Sequence, residues 1–506
     1  MLNLIALRSL GSQLILVCCL GAFAGRVGAQ SASTGSPSHA VHRTDVKSAS
    51  QQRLRALFVS DIHFEPFWDP DKVPQLASAP VDQWQRILSA PISPHRTERF
   101  LSLQLTCASR GTDTSYALFD SSLHAMEAAA PDAKFITLSG DLIAHGFSCK
   151  YKSLMPQSSP EEYRQFVEKT IEFVLDDLHA AFPAAPVYAA LGNNDSDCGD
   201  YQLDPNSNFL AQTATFVTGD FLASERKIAQ PTFAAGGYYS ASLPAPLEHT
   251  RLLVLDDLFM SRKYTTCSGK PDPAGADMQI DWLRQQLTEA RQRKESVWVM
   301  GHIPPGIDPV STAIKLRNVC GGKPPDMFLN SEALPDLLAR FGDVIRLAIF
   351  AHTHMDEMRL LKPEGGDANA SRPGVPLKMI PSISPIDGNT PSFTVALVDA
   401  PSARLADYQV FSASNETGMN ASWKEEYDFA EAYKQSDFSA ESLAALVEGF
   451  QADPEASTDA SKAYLRNYYV RDRSLELRLF WPQYVCAVSA YDVDAYRNCR
   501  CSNSKE

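Results

Sequence analysis

The sequence has no excess of basic residues: 46 Lys and Arg stand against 60 Asp and Glu, for a formal net charge of −14. Nothing in that balance would neutralise many phosphates on a polyanion, so no nucleic-acid binding is expected. A long apolar run is also missing. The stretch from Leu14 to Ala24 falls short of the roughly 20 residues that span a bilayer, and no integral membrane anchor is expected. No C-x-x-C pair occurs among the ten cysteines, which argues against a zinc-thiolate site. No internal repeat is visible.

What is present begins with Arg8, the short apolar run and then Val27-Gly28-Ala29, the layout of a cleaved secretory signal over residues 1–29. A secreted protein is expected, extracellular or periplasmic, and a lysosome-like compartment also fits. Residues 30–52 are rich in Ser, Ala, Thr and His with almost no large apolar side chain, the composition of a disordered lead-in. Eight cysteines remain after the signal, and an even number in an exported chain suggests disulfides. Spacing alone leaves their pairing open.

From Leu54 onward short β-branched or apolar runs alternate with segments of helical period. The runs predict strands at 54–59, 134–138, 187–190, 252–255, 297–300, 345–350 and 393–398, with helices at 116–129, 160–181, 279–294 and 331–341. This is an α/β pattern, a layered β-sandwich flanked by helices, forming a catalytic domain over 53–412. Helical patterns at 425–434, 440–451 and 457–469 predict a small, cysteine-containing C-terminal subdomain over 413–506. The proline-containing segment 64–105 reads as an irregular excursion, whose Phe64, Phe67 and Trp68 suit either a substrate cleft or the core.

Five predicted strands run into turns bearing metal-ligand side chains: Asp61 and His63, then Asp141, Asn193, His302, and finally His352 and His354. Ligands gather beyond the carboxyl ends of strands in open α/β sheets because side chains from several strands converge there. Glycines precede Asp141, Asn193 and His302, as expected if each sharp strand exit needs a backbone that Gly adopts cheaply. Imidazole, carboxylate and amide oxygen together suit zinc first, with iron or manganese accommodated by the same donors. Seven ligands exceed one tetrahedral ion and suit two divalent ions sharing a carboxylate.

The ordered motifs D-x-H, G-D, G-N-x-D, G-H and H-x-H resemble those of the calcineurin-like metallophosphoesterase superfamily. That resemblance implies one ion on Asp61, His63, Asp141 and His354, and a second on Asp141, Asn193, His302 and His352. Ala351 stands where the superfamily usually has Gly. The implied chemistry is phosphate-ester hydrolysis by in-line attack of a metal-activated hydroxide. Where much of the superfamily has a proton-donating His after G-N, this chain has Asn194. An amide is not a useful general acid, so His145, four residues after Asp141, is the candidate acid or phosphate-binding group, with Asn194 as a hydrogen-bond donor to the phosphoryl group.

The G-D-x-x-x-H spacing and the cysteine-bearing tail are similar to the acid sphingomyelinase and sphingomyelinase-like phosphodiesterase family. No cysteine-dense saposin-like domain precedes Leu54. The resemblance implies disulfides Cys486–Cys499 and Cys267–Cys320, and a small phosphate-ester or phospholipid-type substrate, sphingomyelin-like or nucleotide. An endopolyphosphatase-like hydrolase and a non-catalytic metal-binding scaffold are the alternatives. Sequons begin at Asn194, Asn369, Asn415 and Asn420.

Overall fold

The computed structural model describes residues 53–363, 374–471 and 475–502. The expected signal, the lead-in and the Asn369 sequon lie outside them. All seven predicted strands form: β1 (Arg53–Val59), β2 (Ile136–Ser139), β3 (Val187–Ala190), β5 (Thr250–Val254), β6 (Ser296–Met300), β7 (Ile345–Phe350) and β10 (Ser392–Asp399). Five more were not anticipated: β4 (Tyr239–Ser242), β8 (Glu357–Leu361), β9 (Val375–Met379), β11 (Arg404–Ala413) and β12 (Trp423–Asp428).

They build two six-stranded sheets, ordered β12-β11-β10-β1-β2-β3 and β4-β5-β6-β7-β9-β8. In the first sheet β1, β2 and β3 run parallel. In the second, β5, β6, β7 and β9 do so; antiparallel strands finish both edges of the second sheet and the β12 edge of the first. Strands β2, β3 and β6 are buried nearly throughout, as parallel strands covered on two sides must be.

The sheets face one another through Trp298 on β6, whose ring meets Phe58 of β1 at 5.9 Å and Phe135 at 5.8 Å, both edge-on. Its indole N–H donates to the Ala403 carbonyl at 2.8 Å, satisfying the one polar atom that burial would strand. Helices cover the outer faces. In helix Pro160–Ala181, proline occupies the first turn and Ser159 and Glu162 form a reciprocal capping box. Its buried Phe166, Thr170, Phe173 and Val174 recur at the spacing of one helical face.

Segment 64–105 is not irregular. It folds into helices Val73–Ser78, Trp84–Leu88 and Arg96–Thr106, and its Pro66 and Pro74 start short helical turns instead of breaking them. Phe64 and Phe67 are fully buried among Phe119, Phe147, Phe166 and Phe173, and Trp68 lies under the Arg96 guanidinium. These aromatics belong to the packing. The helix expected at 425–434 is β12 followed by the short helix Phe429–Tyr433, because β12 completes the first sheet by pairing with β11. The sheet therefore runs past the expected 412/413 boundary to Asp428.

Beyond β12 the chain is helical, through Ala440–Gln451, Asp459–Asn467, Leu475–Leu479, Trp481–Ser489 and Val493–Ser502. All eight cysteines after the expected signal are paired, as Cys107–Cys149, Cys198–Cys267, Cys320–Cys501 and Cys486–Cys499. The 486–499 link is the one implied by resemblance. The implied Cys267–Cys320 link is not made, because Cys267 lies with its Cα 5.5 Å from that of Cys198, and Cys320 turns to the C-terminal helix.

Replacing Trp298 by Ala should cost about 3–5 kcal/mol in denaturant unfolding, the range for losing a large buried aromatic. Trp298→Phe should cost less, and equal losses would show that inter-sheet packing at this ring is not what is being removed.

Candidate metal centre

The parallel strands bring their carboxyl ends to one edge of the sandwich, where five turns carry the expected ligands. Asp61, His63, Asp141, His352 and His354 have φ of 46°, 44°, 55°, 72° and 65°, in the left-handed region that costs a non-glycine residue roughly 1–3 kcal/mol. Backbone bonds between turns hold them there. Asp61 N–H donates to Gly140 O at 3.0 Å, His63 N–H to Asp141 O at 2.9 Å, and Ala351 N–H to His302 O at 2.9 Å. The preceding glycines have two different reasons. Gly140 has a φ of 97°, whereas a Cβ on Gly192 would fall 2.2 Å from Asp141 Oδ1 and one on Gly301 2.3 Å from Asp257 Oδ2. Close approach, not conformation, fixes the latter two.

The seven side chains converge in two groups. In the first, Asp61 Oδ1 lies 3.4 Å from His354 Nε2 and 3.8 Å from His63 Nε2. His63 Nε2 is itself 3.2 Å from His354 Nε2 and 3.4 Å from Asp141 Oδ2. In the second, His302 Nε2 is 3.2 Å from both Asp141 Oδ2 and Asn193 Oδ1, and 3.3 Å from His352 Nδ1. Asp141 Oδ2 belongs to both. Donors arranged tetrahedrally at about 2.0–2.1 Å from a zinc-sized ion stand roughly 3.3 Å apart, so the spacing fits a cation at the centre of each group.

The polar bookkeeping points the same way. His63 Nδ1–H donates to Ile143 O at 3.0 Å and His302 Nδ1–H to Ser139 O at 2.8 Å, which turns both Nε2 lone pairs inward. Asn193 Nδ2 donates to Asp200 Oδ1 at 2.7 Å, leaving its oxygen for the site. Asp61 Oδ1 is buried with no hydrogen-bond donor, an orphan that a cation would satisfy.

The field favours positive charge. Burial alone would push the Asp61 and Asp141 carboxyls up, yet the neighbouring histidines hold both below the usual range. Burial also works against charge on His63 and His302, but Asp141 beside them lifts His63 to about 9 and His302 to about 10. Burial draws His352 down to about 3 and His354 to about 4.

His145 sits beside the first group, its ring stacked on that of His63 at 4.0 Å. Its Nδ1 and backbone N–H donate to the two oxygens of Asp113, at 3.0 and 2.9 Å. Asn194 faces Asp141: its backbone N–H donates to Oδ1 at 2.8 Å and its amide to Oδ2 at 2.9 Å. One of the two amide N–H groups expected for the phosphoryl group is thus engaged by the shared carboxylate. The Asn194 sequon is buried, while Asn420 is exposed.

Sequence reasoning missed a supporting set of carboxylates. Asp195 accepts from Gly192, Leu142 and Ile143 N–H groups, and Asp257 from His302 and Ile303. Asp195 follows the G-N-N motif directly and Asp257 lies just after β5, so both were within view as residues at strand ends. Asp113 comes from a loop far from any motif and had no such signal.

The shared oxygen gives a graded expectation. Purified protein should carry close to two divalent ions per chain by elemental analysis. Asp61→Asn should weaken retention of one ion, and Asp141→Asn should deplete both. Equal depletion in the two variants would contradict a shared Asp141.

Comparison with known proteins covers the same ground. A family model described as calcineurin-like phosphoesterase matches residues 54–356, a span that includes all seven candidate ligands. The chain is similar to human acid sphingomyelinase-like phosphodiesterase 3b, 28% identical over 397 residues, covering 76% of this chain and 80% of the relative. The mouse protein of that name is 27% identical over 467 residues, 89% of this chain and 91% of the relative. Mouse cyclic GMP-AMP phosphodiesterase SMPDL3A is 26% identical over 406 residues, 76% of this chain and 81% of the relative. A family match that runs through every turn bearing a candidate ligand, over His and Asp side chains gathered closely enough to hold metal, places the chain in the calcineurin-like phosphoesterase family as a phosphoric ester hydrolase.

Proposed function

We propose that this hydrolase is exported and cleaves phosphodiesters of the sphingomyelin or nucleotide type, with His145 delivering the proton to the leaving oxygen. The observation that carries this reading is the Asp113–His145 pair beside the first donor group. One nitrogen from each of His63, His145 and His354 lies within 4.8 Å of the others, so His145 reaches the space in front of the ligands. Relatives named as sphingomyelinase-like and cyclic GMP-AMP phosphodiesterases support the substrate classes.

Zinc or a similar divalent pair, when bound by the seven ligands, supplies an activated water and neutralises phosphoryl oxygens. The chain itself does the rest. Asp113 accepts from His145 Nδ1 and so fixes the ring and directs the other nitrogen for proton transfer. Burial works to raise the Asp113 carboxyl, but His145, His63 and Lys150 hold it well below its ordinary value, so it stays an acceptor. Ser384 Oγ donates to it at 2.8 Å, and Lys150 bridges it to the buried Glu65. Asn194 serves as a positioning residue that orients Asp141.

Four disulfides support export to an oxidising compartment. Among the described residues no helix is long and apolar enough to cross a membrane.

His145→Ala should lower turnover of an alkyl phosphodiester by about 100-fold or more, and that of bis-p-nitrophenyl phosphate far less, because nitrophenolate departs without a proton. Equal small losses on both would remove His145 from the acid role.

A further inference from the structure

Next to the metal centre lies a cavity of about 310 Å³ whose wall includes the ligand His352. Its charged lining is Arg262, Lys263, Lys315, Arg317, Asp308 and Asp326, two positive charges in excess within a chain of net charge −14. Asp326 is nearly buried and gathers three of the cations, with Lys315 and Arg317 at 3.1 Å and Arg262 at 3.8 Å. Lys263 has a hydroxyl for a partner, donating to Tyr201 Oη at 3.2 Å, and Tyr201 Oη lies 3.2 Å from His352 Nε2.

The walls are tied together. Residues 261 and 329 form one backbone bridge and 307 and 327 another, while Cys320 is linked to Cys501. The cations are therefore carried on braced segments, not on free loops.

From this geometry we infer that the cavity is a subsite for a second anionic group of the substrate, a phosphate joined to the scissile ester on the His352 side. Arginine and lysine converging from separate segments are the groups that recognise phosphate oxygens, and a local positive cleft draws an anion in despite the overall charge. A quaternary ammonium would need open aromatic faces or spare carboxylates. Both aromatic faces here already carry cations, Lys263 over Tyr201 at 4.4 Å and Arg359 over Phe328 at 5.3 Å. The cavity therefore selects phosphorylated esters and disfavours choline. The inference builds on the phosphodiesterase reading and narrows it to substrates with more than one phosphate.

The test is isothermal titration calorimetry of the metal-loaded protein with adenosine 5′-monophosphate, adenosine 5′-triphosphate, inorganic tripolyphosphate and phosphocholine, at fixed free metal. Both triphosphates should bind at least tenfold more tightly than the monophosphate and phosphocholine. In Lys315→Ala/Arg317→Ala that ratio should collapse toward one, and Lys315→Glu alone should lower it. A structural defect would weaken all four ligands together and leave the ratio unchanged, which would overturn the inference, as would tight phosphocholine binding. Preference for adenosine triphosphate over tripolyphosphate assigns the second phosphate to a nucleotide, and the reverse to an inorganic chain. Failure to hydrolyse bis-p-nitrophenyl phosphate would count against the phosphodiesterase reading alone, because the binding ratio is read without turnover.

Discussion

One carboxylate oxygen, Asp141 Oδ2, stands between two clusters of donors and belongs to both. Its position depends on a dense set of contacts: Asn194 donates to each oxygen of the carboxylate, Gly192 leaves room for it, and the Asp141 backbone accepts from His63. The first sheet supplies Asp61, His63, Asp141 and Asn193, and the second supplies His302, His352 and His354. Donor clusters that share one carboxylate thus make the relative placement of the two sheets a condition for the geometry of the site, and Trp298, wedged between them, helps set that placement.

The left-handed backbone at five ligands shows where the fold spends stability. Asp and His tolerate that region better than most residues, and the turns are cross-braced by hydrogen bonds between strand ends. The buried carboxylates of Asp195 and Asp257 do the same work for backbone N–H groups in the second tier.

Much of this was readable in the sequence for a physical reason. Ligands at strand ends leave a local pattern: an apolar run, a glycine, then a metal-ligating side chain. Asp141, Asn193 and His302 carry that full signature, while Asp61, His63, His352 and His354 follow Ser60 and Ala351 in D-x-H and H-x-H pairs, and the structure brings all seven candidate side chains together. β11 and β12 extend the first sheet by local antiparallel pairing, but charged residues such as Lys424 and Glu425 interrupt the apolar pattern of β12, and Lys378 on β9 is buried against Asp356, a polar residue that disguises a buried strand. Asp113 was hidden likewise, because its relation to His145 exists only across two loops. The disulfide pattern escaped spacing because Cys320 finds its partner 181 residues away.

That long link also orders events in time. The segment after His302 carries Asp308, Lys315 and Arg317, and it is clamped by a cysteine that the ribosome adds only after nearly every other residue of the described fold. Until residue 501 has emerged and been oxidised, the wall beside His352 has no covalent brace. Completion of this part of the molecule therefore waits on oxidation of the Cys320–Cys501 pair, and reducing conditions during synthesis would leave the sheets formed with that wall unfastened.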